Sequence, residues 1–312
     1  MTDDETPEFF SYGEALDHFV TASANPGDGM GTGYSLDKEC GLMSSGELAL
    51  VWARSGAGKS SLLLNIIANT PDIPTVFFNM EMRARSMAEW LTTMRYDLGI
   101  PYRDLKELIL NQDDDPRYLD VMERMEQAKV MDPPQVWFVE PRSPTIDTLA
   151  RTIDAVEKAS GIRPQRVMID HLSLMNGARD YEGVVSMGAQ VHQWAQDDEL
   201  VVVAAQQTGR GGGASGERND GHLPVTLSSG VYGGEHDADW LLGAWRPIRD
   251  PKFRKSSGEF KRPGEYEEML AERQRVKHLT HFAVIKNRPY GQLCENGISL
   301  FWDDRTRQLK ER

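Results

Sequence analysis

The sequence predicts an α/β fold built on a mostly parallel, twisted sheet flanked by helices. Three observations carry that expectation. From Gly46 onward, short apolar runs alternate with amphipathic helical patterns, and buried strands separated by helices form parallel sheets. One strand–helix junction holds a glycine-rich turn ending in Lys-Ser. The composition, 39% hydrophobic and 27% charged over 312 residues, suits a packed core.

The elements follow in order. The first residues are acidic, and a short helix is expected near Tyr12–Ala22. A Gly-rich linker, Asn25–Gly33, comes next. Strands are expected at Leu48–Ala53, Thr75–Asn79, Gln135–Val139, Arg166–Ile169, Leu200–Ala205, Trp240–Ala244, His281–Ile285 and Ile298–Trp302. Amphipathic helices are expected near Lys59–Asn69, Ser86–Leu98, Thr145–Ala159 and Val184–Gln196. The last strands lie closer together in sequence, which suits an antiparallel edge. Asn111–Pro116 and the Gly-rich Gly209–Gly221 read as surface loops, and loops that follow strands often touch ligands.

Charge and cysteine content narrow the class. There are 35 Lys and Arg against 48 Asp and Glu, a net charge of −13, which argues against a broad basic coat for nucleic acid. The balance is uneven. Residues 1–40 carry a net −8, whereas residues 246–277 carry a net +4. Two cysteines, Cys40 and Cys294, exclude a disulfide scaffold and a four-cysteine zinc site. No apolar run approaches the ~20 residues that span a bilayer, and the acidic start is unlike a secretory signal. The expectation is a cytoplasmic protein with no membrane partner.

The strongest motif is Ala53-Arg-Ser-Gly-Ala-Gly-Lys-Ser60, a phosphate-binding loop with Ala in place of its first Gly. Gly56 and Gly58 let backbone N–H groups wrap phosphates. Lys59 supplies a point charge, and the following helix N-terminus adds partial positive charge. Ser60 offers a hydroxyl to Mg²⁺. The cofactors implied are therefore ATP and Mg²⁺, cradled by Ser55, Gly56, Ala57, Gly58, Lys59, Ser60 and Ser61. Arg166-Val-Met-Ile-Asp170 is an apolar strand ending in a carboxylate, and Asp170 joins Ser60 as a metal ligand.

Three further groups admit two readings each. Glu81 follows a strand, either as a general base or as an acid favoured by a helix N-terminus. Gln207 ends a buried strand, either sensing the γ-phosphate or simply satisfied there. Lys286 and Arg288 point the same way on an extended chain, either clamping a phosphate or lying solvated.

Taken together, the ordered motifs resemble the RecA-like core of the DnaB-type replicative helicases of superfamily 4, from about Thr32 to Trp302. Thr32–Asp37, Phe78–Met82, Met168–Met175, Ala205–Arg210, Glu235–Asp239 and Lys286–Arg288 each resemble a segment of that family. The resemblance implies a RecA-like P-loop NTPase. Residues 1–31 would form an acidic tail with a possible docking helix, and residues 32–312 the ATPase domain. It implies Glu81 as the catalytic glutamate, Gln207 as the sensor, and Lys286 with Arg288 as a finger reaching a neighbour's nucleotide. His171 stands in place of the family's Tyr and is read as structural.

Partners implied by the resemblance are single-stranded DNA, further copies in a hexameric ring, and loader or primase proteins. The implied output is 5′→3′ translocation and duplex unwinding.

Three departures bear on this reading. Only about 30 residues stand before the core in this sequence, fewer than the family's helical primase-binding domain would take, so that domain is not expected in it. The family's Arg-containing DNA loop appears as Leu227-Ser-Ser-Gly230, so Ser228, Ser229, Gly230, Arg210 and Arg218 become the candidate DNA contacts. The basic segment Pro247–Lys277 is longer than expected, serving either DNA or partner contact or forming a solvated hairpin or helix. Core-only architecture suits a phage or plasmid replicon, which would place a phage-encoded protein in the bacterial host cytoplasm. Two alternatives remain: a RecA-type filament-forming recombinase or mediator, and a switch-like hexameric ATPase that does not act on DNA.

Overall fold

The structure, a computed structural model, describes residues 29–111, 115–178, 180–208, 221–227, 236–260, 262 and 264–311. The expected helix Tyr12–Ala22 lies outside them.

A nine-stranded sheet runs in the order β3-β2-β4-β5-β1-β6-β7-β8-β9. Its strands are β1 (Leu48–Ala53), β2 (Thr75–Asn79), β3 (Val136–Val139), β4 (Arg166–Asp170), β5 (Val201–Gln207), β6 (Trp240–Trp245), β7 (Leu279–Asn287), β8 (Cys294–Trp302) and β9 (Leu309–Glu311). The six from β3 to β6 are parallel. The three at the other edge are antiparallel. The expected fold class therefore holds, antiparallel edge included.

Alternation sorts the strand side chains into two cores. Ala49, Val51 and Ala53 of β1 face α2 (Lys59–Asn69), against Leu63 and Ile66. Leu48, Leu50 and Trp52 face the opposite layer, where Val191 and Trp194 of α7 (Tyr181–Asp197) pack beside Ile153 of α6 (Ile146–Ser160). Every residue of β1 is buried, as a strand covered on both faces requires. Nearly all of α2 is buried too, which explains why its sequence is apolar almost all round.

Two helices arise where no element was expected: α4 (Tyr102–Leu110) and α5 (Tyr118–Ala128). They follow α3 (Ala84–Arg95) and close over a separate small core of Leu98, Ile100, Leu105, Leu108 and Val121. The short α1 (Leu36–Cys40) precedes β1. The basic segment after β6 forms short turns and then α8 (Glu265–Val276), of which only Met269 is buried. Glu265, Glu267 and Glu268 lie in the first turn and Arg273 and Arg275 in the last, matching the helix dipole. The second half of the segment is thus helical.

Among the described residues no helix is long and apolar enough to cross a membrane.

Candidate functional site

Parallel strands bring their C-terminal ends to one edge of the sheet, and the loops there form the site. β1 delivers the phosphate loop. Gly56 and Gly58 take positive φ, +73° and +96°, a region that penalises other residues. Gly58 caps α2 in the left-handed conformation. A Cβ placed on Gly58 would meet nothing within 4 Å, so the loop curls around open space above the helix N-terminus. An open cradle above a helix N-terminus suits an oxyanion.

Lys59 opens α2 and is 8% exposed. Burial pushes its ammonium below the usual lysine range, while Asp170 and Glu81 act in the opposite direction. Three of the predicted groups therefore lie within electrostatic reach of one another.

Asp170 ends β4, fully buried. Burial raises its carboxyl above the ordinary range, against the Ser60 hydroxyl and Lys59, which lower it. Neither carboxylate oxygen has a hydrogen-bond partner of full geometry. Two buried oxygens without partners, beside a serine hydroxyl and a phosphate cradle, fit a divalent cation. Hard oxygen donors are what Mg²⁺ takes, alongside phosphate oxygens and water. Among the described residues no cluster of three or more His, Cys, Asp and Glu side chains gathers to hold a metal alone, so the nucleotide itself would have to supply ligands.

Glu81 is exposed and follows β2. Asn79 Oδ1 accepts from the N–H groups of Glu81 and Met82, both at 2.8 Å, a side-chain-closed turn. Met80 N–H donates to the Asp170 carbonyl at 2.9 Å. These bonds hold the Glu81 turn against the end of β4.

The two amides ending β5 are not equivalent. Trp52 Nε1 donates to Gln206 Oε1 at 3.1 Å, which occupies Gln206 on the α7 side. Alternation turns Gln207 to the face of α2, beside the phosphate loop. Thr208 follows, and its carbonyl accepts from Arg54 Nη1 at 2.6 Å. The loop residue and the strand end are thus directly joined.

His171, next to Asp170, is 4% exposed, with Nδ1 2.8 Å from Ser173 Oγ. Burial, then the Lys59 charge, lowers its pKa to about 4. A neutral, packed imidazole matches its reading as structural.

Lys286 and Arg288 do not join this chain's own site. β7 runs antiparallel to β6, with Lys286 opposite Leu241. Trp240 in turn sits opposite Ala49 at the start of β1. The pair therefore lies at the far end of the sheet, roughly 20 Å away for a six-residue strand. Arg288 Nη1 donates to Asp239 Oδ1 at 3.1 Å, and Nη2 donates to the His236 carbonyl. Lys286 Nζ donates to the Ala238 carbonyl at 2.7 Å. The Arg288 side chain is still about half exposed. The candidate DNA contacts Arg210, Arg218, Ser228, Ser229 and Gly230 all lie outside the described residues.

Sequence reasoning missed Asn79, which aims the Glu81 turn, and Arg54, which ties the loop to Thr208. An Asn two residues before a turn acid was the only local signal for the first. Arg249 was counted only among the bases of its segment.

Comparison with known proteins gives a consistent picture. The family of DnaB-like helicase C-terminal domains matches residues 29–288. The chain is 26% identical over 226 residues to the replicative DNA helicase DnaB of Helicobacter pylori (strain ATCC 700392 / 26695), covering 70% of this chain and 44% of that protein. It is 27% identical over 239 residues to the replicative DNA helicase DnaB of Mycoplasma genitalium, covering 72% and 48%. The chain thus spans about half the length of these curated relatives.

Among solved structures, an isolated ATPase domain matches with a TM-score of 0.70 at 18% identity, over 98% of this chain and all of that one. A DnaB-like replicative helicase, described together with its interactions with primase, matches with a TM-score of 0.71 at 16% identity, over 97% and 67%. At that identity the likeness is one of fold.

Proposed function

The chain belongs to the DnaB-like helicase C-terminal domain family, and on that premise we propose that it is an ATP-driven motor that translocates on single-stranded DNA and unwinds duplex DNA during replication. One observation carries the reading: Lys59, Ser60, Asp170 and Glu81 converge beside an open phosphate cradle at one end of the sheet.

The roles follow from where the groups lie. Lys59 and the N–H groups of Ser55–Ser61 hold the phosphates. Ser60 and Asp170 hold Mg²⁺, which supplies charge neutralisation at the phosphate oxygens when bound. Glu81 orients the attacking water and accepts its proton. Gln207, turned to the face of the loop, reports the state of the γ-phosphate to the segment beyond Thr208.

Transition-state charge calls for a cation near the transferring phosphoryl group. Lys286 and Arg288 lie at the wrong end of their own sheet for that. Their position supports a role in the neighbouring subunit's site, and hence a ring, six-membered as the family resemblance implies. To reach a neighbour, Arg288 exchanges its contacts with Asp239 and His236.

Residues 32–312 form the motor in this proposal, and residues 1–31 an acidic tail that docks on the next subunit. The motor moves 5′→3′, meets loader or primase proteins, and works in the cytoplasm, that of the bacterial host if phage-encoded.

ATPase rate measured with and without single-stranded DNA, together with particle imaging, tests the reading. Closed rings with DNA-stimulated hydrolysis are expected. Filaments would support a recombinase instead, and DNA-indifferent rings a protein-directed switch.

A further inference from the structure

We propose that Arg249 is a phosphate-binding residue of the nucleotide site in its own chain, distinct from the cations a neighbouring subunit would supply. The inference deepens the proposed function and rests on reading the loop as a nucleoside triphosphate site.

Strand order sets up the contact. β6 is the parallel partner of β1 on the side away from β5, with Ala53 opposite Ala244. The chain leaving β6 therefore emerges beside the phosphate loop, although the two are remote in sequence. There the turn Pro247–Arg249 folds back. Pro247 opens it and fixes the first φ. Arg249 N–H donates to the Arg246 carbonyl at 3.0 Å, and Arg246 N–H donates to the Gly221 carbonyl at 2.8 Å.

The Arg249 side chain is directed by two glycines. Its Nη1 occupies the space that a Cβ on Gly56 would need. Further back, its Nε and Cδ lie 3.2 and 3.3 Å from the point where a Cβ on Gly221 would sit. Gly221, at φ +97°, also meets the Cβ of Arg54. The guanidinium thus lies against the phosphate loop itself.

Charge points the same way. Asp170 and Glu81 act on Lys59 more strongly and in the opposite sense, and Arg54 and Arg249 then add two like charges beside it. Bringing like charges together costs free energy. A bound anion offsets that cost, and a triphosphate carries several negative charges. The planar fork of a guanidinium also matches phosphate oxygens two at a time. The cluster of Arg54, Lys59 and Arg249 around a loop shaped for an oxyanion is an arrangement that a triphosphate completes. Of the two readings of the basic segment, this gives one residue a task that neither foresaw.

Equilibrium titration with a fluorescent, non-hydrolysable ATP analogue and Mg²⁺ tests the proposal on the full chain. R249Q keeps the stem and turn but removes the charge. It is expected to weaken binding by about ten-fold or more, the scale of a hydrogen bond to a charged group. R249K should recover part of the loss, and added salt should narrow the gap between R249Q and wild type. A merely structural arginine would instead lower the melting midpoint of the nucleotide-free protein and leave affinity intact. R249Q binding as tightly as wild type, while K59A loses binding, overturns the assignment of Arg249 alone. A wild-type protein that binds no nucleotide overturns the underlying reading of the loop.

Discussion

Replacing His171 with asparagine should make folding less sensitive to acid. His171 is buried and its Nδ1 lies 2.8 Å from Ser173 Oγ, a contact the asparagine amide can reproduce. Burial, and then the Lys59 charge, lowers the imidazole pKa from the usual 6.5 to about 4. The unfolded chain therefore binds a proton across that window and the folded chain does not. The sign follows: the stability is present above pH 6.5 and is lost as pH falls from 6.5 toward 4. The linkage amounts to about 2 kcal/mol by pH 5 and ~3 kcal/mol in full. Urea unfolding of both proteins at pH 8 and pH 5, without nucleotide and with a chelator, isolates this residue, because other acid-titrating groups are shared. Wild type should lose about 2 kcal/mol more than His171→Asn between the two pH values. Parallel losses would refute a buried, neutral imidazole.

Other predictions concern chemistry, assembly and the core. Glu81→Gln should abolish turnover while leaving ATP binding intact; ordinary turnover would remove Glu81 from the role of base. Mixing Arg288→Ala subunits with wild type should depress hydrolysis more than in proportion to their share, whereas a linear loss would count against action across subunits. Arg166 is fully buried, with Nη2 unpartnered, and burial holds its pKa down at about 9. Its hydrogen bonds go to the Thr75 and Thr70 hydroxyls, neither of which is charged. Arg166→Met should therefore raise stability by ~1 kcal/mol or more in chemical denaturation, since an apolar side chain often outperforms a buried charge; a loss of stability would show the two hydrogen bonds to dominate.

Much of the fold was legible because its strands are short, apolar and well punctuated. Lys59–Asn69 was read to the residue, since a glycine turn and a polar stop bracket one apolar run. The helices α4 and α5 were missed for a physical reason. They cover a small core apart from the sheet, so few of their positions are apolar inward, and Leu110 and Leu119 lie exposed. Their charge density reads as loop. At the site, each strand-end acid was visible in its own segment. Gln207 was picked out by the family resemblance; that Gln206 is occupied by the cross-strand partner Trp52 is visible only in the structure. Placing Arg249 over Gly56 needed the knowledge that β6 lies beside β1, a fact of strand order that no local pattern contains. Likewise, only the antiparallel run of β7 puts Lys286 and Arg288 at the far end of the sheet.

Under the proposed function, hydrolysis at this site drives strand separation. That coupling is tested most directly by ATP-dependent unwinding of a forked DNA duplex, with tails of each polarity supplied in turn. Unwinding should require a 5′ single-stranded tail and disappear in Lys59→Ala. ATP hydrolysis by well-formed particles, with no strand separation on any fork, would contradict it.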